Sequence, residues 1–504
     1  MSITKNYSAM RALHSFYHRK SDVWRHRAER HVLHLFHKAA DGVVAYRDFL
    51  GKNGVDHHKV NDWSDFQHVP VIDKKNYLRQ YELKDLCWNG SFDKTLVFTS
   101  TSGSTGEPFY FPRSEELDWQ SSIFHEAFLR YGNTKDKGPT LILVAFGMGV
   151  WIGGLLTYKA FEMCGHRSAY PISILTPGIN KKEIFNALKN VSPLYKQTII
   201  VGYPPFVKDV LDEASAQGIE LEKMNVRFVF AAETFTEGFR DYLARKARVD
   251  NIYRDVFHVY GSADLGTMAV EMPLSILIKR LALKHEHLSI DLFHDISKVP
   301  TLAQFNPEFT HFDAVQDELV LTGNNVLPLI RYGIGDRGGV FDFDFVKQKF
   351  FDNGLDLTEE AKKVGVLDCL FQLPFVYVYE RVDFATTLYG ITIYPQYIKE
   401  ALLDKDFDNL LTGKFVLSTE FDEMHNQYLK IHLELQKGID SSCVNDSIKH
   451  KVLEQIIGYL SLKVSEFREL KSHLGERAHP QLKFWEAEHP TYFKPGVKQA
   501  WVKK

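Results

Sequence analysis

The segment Thr99-Ser100-Thr101-Ser102-Gly103-Ser104-Thr105-Gly106-Glu107-Pro108 gathers hydroxyl side chains around two glycines, directly after the strand-like run KTLVF. Gly103 and Gly106 open backbone conformations closed to other residues, so successive N–H groups can converge on one anion. Thr101, Ser102, Ser104 and Thr105 add donors without a fixed positive charge. That combination suits a polyphosphate whose charge is shared with Mg2+. It is not a kinase-type P-loop, since no Lys-Ser/Thr pair follows the glycines. Taken alone, the segment reads equally well as a Gly/Ser surface loop.

Four later segments bear on that choice: GYPPF (Gly202–Phe206), FVFAAETFTEGFR (Phe228–Arg240), HVYGSADLG (His258–Gly266) and LPLIRYGIGDRGG (Leu327–Gly339). One at a time, each has a plainer reading. Asp264 and Asp336 sit beside glycines as turn or cap aspartates do, and Tyr260 fits ordinary core at a strand end. In this order behind the hydroxyl-rich loop, however, the series resembles the adenylate-forming superfamily, and specifically phenylacetate–CoA ligase and its relatives. The resemblance extends over nearly the whole chain. It runs from the N-terminal helix and Tyr46 through VPVIDKKNYL and AFGMGVWIGGLLTYKAFEMCG (Ala145–Gly165) to ERVDFATTLYGITIYP.

The resemblance implies a role for each of these positions. Thr101, Ser102, Gly103, Ser104, Thr105 and Gly106 match the phosphate loop of that superfamily. Ala231, Ala232 and Glu233 match a small-small-acid turn beside the adenine. Tyr260, with Gly261 and Ser262 next to it, offers a ring to stack on the purine. Asp264 stands where the superfamily carries the acid that helps hold Mg2+. Asp336 matches the aspartate that accepts hydrogen bonds from two vicinal ribose hydroxyls, a task suited to a carboxylate's two oxygens. Phe146, Met148, Trp151 and Tyr203 would wall an apolar pocket for an aryl or acyl acid, with packing of a buried helix start as the equal alternative. Arg381 and Asp383 match the Arg-x-Asp junction where the small domain swivels. A C-terminal lysine neutralises charge as pyrophosphate departs; Lys498, two residues after Gly496, is the first candidate and Lys494 the second. Lys498, Asp264 and Thr105 are therefore the expected catalytic groups.

The activity this resemblance implies is ATP-dependent activation of a carboxylic acid to acyl-AMP with release of pyrophosphate. Transfer to a thiol comes next, with coenzyme A as first candidate and a carrier protein or an amine after it. Several departures bear on that second step. Asp264 replaces the usual Glu, Phe109 stands where many members have Lys, and Gly333, Tyr389 and Thr392 replace the common Arg, Arg and Asn. EMPLSILIKRLALKHEHLSI lacks the cysteines some relatives carry there, so no structural zinc is expected. These changes motivate an alternative: a nucleotide-binding protein of the same fold that acts as scaffold or regulator.

Elements of the right kind surround these segments. The runs KTLVFTS, TLILVAFG, QTIIVGY, VRFVFAA, VFHVYG and DELVLTG read as strands. They alternate with helical patterns such as KKEIFNALKNV, PPFVKDVLDEASAQG and TEGFRDYLARKA, which predicts an α/β domain with mostly parallel sheets. Near the N-terminus, Trp24, Ala28, Val32, Leu35 and Phe36 share one helix face, and Asp73 is placed to cap a following helix. His26, His31, His34 and His37 read as solvated or half-buried helix histidines. After RYGIGDRGGV, the order of strands and helices predicts a small C-terminal α+β domain. The expected division is a large adenylation domain over 1–380 and a small mobile domain over 381–504.

At 504 residues the chain is too long for a single core. A formal charge of −3, with 44% hydrophobic and 25% charged residues, predicts no bulk attraction to nucleic acid or anionic membrane. Four scattered cysteines read as reduced thiols. No export segment or membrane span is evident in the sequence, which leads to the expectation of a cytoplasmic protein.

Overall fold

The apolar runs between residues 95 and 380 become strands because they are short and rich in β-branched and aromatic residues, and those at the centre of the sheet are buried on both faces. The computed structural model describes residues 3–93, 95–100, 109–132, 134, 138–149, 152–232, 234–294, 299–379, 386–388, 391–421, 427–494 and 501–503. The chain divides into two units. The first takes in Met1–Tyr203, Glu222–Glu233 and Val249–Tyr379; the second takes in Pro204–Leu221, Thr234–Arg248 and Glu380–Lys504.

In the first unit, β1 (Val97–Ser100) and β2 (Tyr110–Arg113) form an antiparallel pair on either side of the hydroxyl-rich loop. The other strands are β3 (Thr140–Ala145), β4 (Ile172–Leu175), β5 (Gln197–Gly202), β6 (Val226–Ala231), β7 (Val256–Ser262), β8 (Gly266–Glu271), β9 (Thr301–Gln304), β10 (Thr310–Val315), β11 (Glu318–Gly323), β12 (Leu329–Phe341) and β13 (Phe375–Val378). They form one 11-stranded sheet in the order β10-β11-β12-β13-β9-β8-β7-β6-β5-β3-β4. The strands β4-β3-β5-β6-β7 are parallel, and the pairings from β7 through to β10 are antiparallel.

Register decides where loops emerge. Ala145 pairs with Gly202, Gly202 with Phe230 and Ala231 with Val259, so residues 146, 203 and 232 leave their strands along one edge, where the parallel pairing of β7 also ends just before Tyr260. From β3 the chain goes outward to β4 and then returns to β5 on the other side. The connections therefore diverge between β3 and β5, the place where open α/β sheets gather ligands.

Among the described residues, two large apolar clusters hold this unit together. Trp24 belongs to the first, while Val32, Leu35 and Phe36, further along the same helix (Ser21–Gly42), belong to the second. Ala28 is buried on that face as well. Full burial of such a side chain contributes about 1.5–3 kcal/mol, which is why this helix follows its apolar stripe rather than its many histidines. Asp73 accepts hydrogen bonds from the Lys75 and Asn76 amides, and the Asn76 side-chain oxygen accepts one from the Asp73 amide; the turn it caps, Lys74–Leu78, is π-helical.

The second unit has its own core. β14 (Thr386–Leu388) and β15 (Ile391–Ile393) pair antiparallel. β16 (Leu411–Phe421) and β17 (Gln427–Leu435) pair antiparallel, flanked by β18 (Gln481–Trp485) and β19 (Val502–Lys503), both parallel to their neighbours. Phe415, Leu417, Ile431 and Leu433 from the sheet pack with Val452, Ile456 and Leu460 from the helix Asp446–Lys463. The helices Pro204–Ala214 and Glu237–Ala247 belong to this unit, and Lys414 bridges Asp209 (2.6 Å) and Glu434 (3.2 Å). Among the described residues, no helix is long and apolar enough to cross a membrane.

The first unit also carries a pH dependence. His125, 1% exposed and edge-on to Phe161, is pushed down to about 4 by burial, and burial does the same to His311. Both rings stay neutral in the folded chain, whereas in the unfolded chain they take up protons near 6.5. Folding is therefore favoured fully above that value and loses stability as the pH falls toward 4. His125→Phe should flatten this loss by up to about 1.4 kcal/mol per pH step, the weight of one proton. Denaturant midpoints of wild type and variant between pH 7 and 4.5 check it; parallel pH profiles would remove His125 as the source.

Candidate functional site

β7 and β8 meet in a tight hairpin, and the residues at its tip are held to close tolerances. A register shift falls between Tyr260 and Gly261, after which Gly261 pairs with Thr267 and Ser262 with Gly266. A Cβ on Gly261 would lie 2.6 Å from the Gly266 carbonyl oxygen, so glycine is required there. The Ser262 hydroxyl accepts from the Asp264 and Leu265 amides, both at 3.3 Å, closing the turn that presents Asp264.

Asp264 is 2% exposed. An ionised carboxylate at that depth needs partners, and two come from distant segments. Tyr332 on β12 donates its hydroxyl at 2.7 Å, and the Lys74 ammonium approaches the same oxygen to 3.5 Å. The sequence alone assigns neither a role. Tyr332 opens the run YGIGD, and Lys74 follows the capping Asp73; both lie within segments that carry the resemblance.

Asp336, further along β12, accepts the Tyr260 hydroxyl at 2.6 Å, which links the end of β7 to the YGIGD segment. Tyr260 is half-buried, with its ring tilted 6.1 Å from Phe312. At the end of β6, Ala231 is half-buried, while Ala232 is exposed at φ +73°, in the left-handed region. For a residue with a Cβ that conformation costs roughly 1–3 kcal/mol. Ala231, Ala232, Tyr260, Gly261, Ser262, Asp264 and Asp336 are thus brought to the strand-end edge and the β12 segment facing it.

Phe146 and Tyr203 leave β3 and β5 side by side, with ring centroids 4.9 Å apart. Phe146 is fully buried in the core, whereas Met148 and Tyr203 are partly buried against it. A Cβ on Gly154 would fall 2.6 Å from the Met148 sulfur, so the glycines that start the helix Ile152–Ser168 let these side chains pack closely. Lys494 is exposed. Thr101, Ser102, Gly103, Ser104, Thr105, Gly106, Trp151, Glu233, Arg381, Asp383, Tyr389 and Lys498 lie outside the described residues, as does the side chain of Thr392.

Charge and donor type limit what this arrangement can do. It offers two buried carboxylates, Asp264 in the hairpin turn and Asp336 on β12, an aromatic hydroxyl and a strained small-residue turn. Among the described residues of the arrangement, none is an activated nucleophile. Such a site binds and orients a polar ligand rather than attacking it.

Comparison with known proteins places the fold. No protein-family model and no curated protein matches the sequence. Among solved structures, 2-hydroxyisobutyryl-CoA ligase in its postadenylation state is similar. With 2-HIB-AMP bound, it aligns at TM-score 0.65 over 97% of this chain and 91% of its own, at 12% identity. With R3-HIB-AMP bound, the values are 0.64, 94%, 88% and 13%. The same ligase with 2-HIB-AMP and CoA in its thioesterification state aligns at 0.54 over 97% and 91%, at 14% identity. At these identities the likeness establishes the fold: an α/β architecture with a smaller C-terminal part, shared with an acyl-adenylate-forming CoA ligase.

The Tyr332–Asp264 bond has a measurable weight. Tyr332→Phe leaves a buried carboxylate short of a donor and should cost about 1–3 kcal/mol. Asp264→Asn keeps an acceptor for Tyr332 and carries no charge to bury, so it should cost less. Denaturant midpoints of the two variants compare them, and an equal or reversed ranking would mean Tyr332 does not hold that carboxylate.

Proposed function

We propose that this chain is an ATP-dependent ligase that converts a carboxylic acid to its acyl-adenylate. The observation that carries the reading is the Tyr260–Asp336 bond beside the Tyr332–Asp264 bond. Together they join a half-buried ring and two buried carboxylates, and these are residue types that the adenylate-forming resemblance assigns to nucleotide binding. The shared fold supports it, since the similar ligase holds an acyl-AMP.

In this reading Asp336 accepts from both ribose hydroxyls, with Tyr260 orienting its carboxylate and flanking the purine. The turn at Ala231 and Ala232 admits the base close to the backbone. The acid's oxygen attacks the α-phosphorus, the bond to the β-phosphate oxygen breaks, and pyrophosphate leaves with the electron pair. No residue forms a covalent intermediate; the protein positions two anions and offsets their repulsion. A buried carboxylate oxygen such as that of Asp264 fits Mg2+, which takes one or two carboxylates and completes its shell with phosphates and water. Bound there, the ion would neutralise the polyphosphate. Thr101–Gly106 would cradle the phosphates, and Lys498 would reach the reacting centre from the C-terminal segment.

Met148, Trp151 and Tyr203 would favour an aryl or acyl group, with Phe146 packed behind Tyr203 in the core. The acceptor enters in a second step: a thiol sulfur, coenzyme A first, attacks the acyl carbon and AMP departs. An amine acceptor would use the same adenylate.

A panel of aryl and fatty acids with Mg·ATP should release AMP and pyrophosphate, with hydroxylamine trapping the acyl group as hydroxamate. Repeating it with CoA should give the thioester. Asp336→Ala should weaken ATP binding by about tenfold or more through loss of the charged acceptor. Release of ADP instead would identify a phosphotransferase. If no acid releases pyrophosphate and Asp336→Ala binds ATP normally, the ligase reading fails.

A further inference from the structure

The geometry points to Lys74 as a phosphate-contacting residue that rests on Asp264 until the nucleotide's triphosphate arrives. This inference rests on the nucleotide-binding part of the proposed function and goes beyond it by assigning a cation from a segment with no role there.

Lys74 is held in place from both ends. The residue two before it, Ile72, is stitched to β12: its amide donates to the Arg331 carbonyl at 3.0 Å, and the Gly333 amide donates to its carbonyl at 2.8 Å. Immediately before Lys74, Asp73 closes the reciprocal cap with Asn76. Both locks act on the backbone, so the start of the Lys74 side chain is fixed relative to Tyr332 and Asp264. The side chain itself is 37% exposed and reaches past the Phe111 ring, 5.9 Å from its centroid, to Asp264, 3.5 Å away. Phe111 lies on β2, the strand after the hydroxyl-rich loop, and Phe109 packs on it at 4.7 Å. The ammonium is thus set between the metal-type carboxylate and the strand leaving the phosphate loop.

Charge explains why a cation is wanted there. The run TSTSGSTGEPF carries no Lys or Arg and one Glu. A triphosphate bound beside Asp264 and Asp336 would face the negative charge of both carboxylates. Lys74 forms the ion pair at Asp264 among the described residues. At 3.5 Å from an oxygen already taken by Tyr332, that pair is loose. A compact ammonium on a flexible four-carbon stem can leave such a contact for a phosphate oxygen, which binds it more strongly as a point charge. Asp264 keeps its Tyr332 donor when that happens.

The test is nucleotide binding with and without metal, by calorimetric titration of ATP in EDTA and in excess Mg2+. Lys74→Met should weaken metal-free binding by about tenfold, while Lys74→Arg retains most of it and the exposed neighbour Lys75→Met changes nothing. Asp264→Asn frees the ammonium and should tighten metal-free binding. That gain should vanish in the Asp264→Asn/Lys74→Met double variant, an outcome a purely structural lysine would not produce. Thermal melts identify any variant that fails to fold; if Lys74→Met does, Lys74→Arg and the double variant decide. Wild-type affinity for ATP in folded Lys74→Met, or a gain in Asp264→Asn that survives the second substitution, overturns the inference. Lys74-dependent binding with no acid yielding AMP would sink the ligase reading alone. Normal AMP formation together with Lys74-independent binding would sink this inference alone.

Discussion

The candidate site is organised by the cost of burying one carboxylate. Asp264 lies at the tip of the β7–β8 hairpin with almost no contact with solvent, and a buried ion is tolerated only when hydrogen-bonded and paired. Its two partners come from positions 190 residues before it in the chain and 68 after it, Lys74 and Tyr332. Satisfying it therefore brings three segments into register. The bonds between Ile72 and β12 serve the same end, fixing the N-terminal segment against the strand that carries Tyr332 and Asp336.

Around that carboxylate the sheet supplies direction. Because β3, β5, β6 and β7 run parallel in matched register, four short segments leave on one edge, and each contributes backbone or a small, aromatic or acidic side chain. β12 then passes the hairpin tip and offers its own acid to Tyr260. Rigid strands hold these groups, so ligand binding there would need little reorganisation, which is how positioning lowers a barrier when no covalent chemistry is available.

The second unit is organised differently. Its helices Pro204–Ala214 and Glu237–Ala247 come from the middle of the chain, and the Lys208 ammonium donates to the Thr412 carbonyl at 2.9 Å. Lys414, between Asp209 and Glu434, is held well above the usual lysine range by those two carboxylates in spite of burial. The Lys208–Thr412 and Lys414–Asp209 pairs each join residues some 200 positions apart, and no local pattern announces them.

Read alone, the sequence determined the elements and the kind of fold. The runs TLILVAFG, QTIIVGY, VRFVFAA and VFHVYG became β3, β5, β6 and β7, and the stripe from Trp24 to Phe36 became a buried helix face, because periodicity and β-branching act over a few residues. It also singled out Tyr260, Asp264 and Asp336, which the fold brings to one edge. Tertiary structure alone decided the partners. That Tyr332 serves Asp264, that Tyr260 serves Asp336, and that Lys74, two residues past a stitched Ile72, points at the same carboxylate as Tyr332 are facts of register between strands distant in sequence. It also decided that Phe146 is spent on the core. A residue's type states what it can donate or accept; only the packed chain says what stands opposite it.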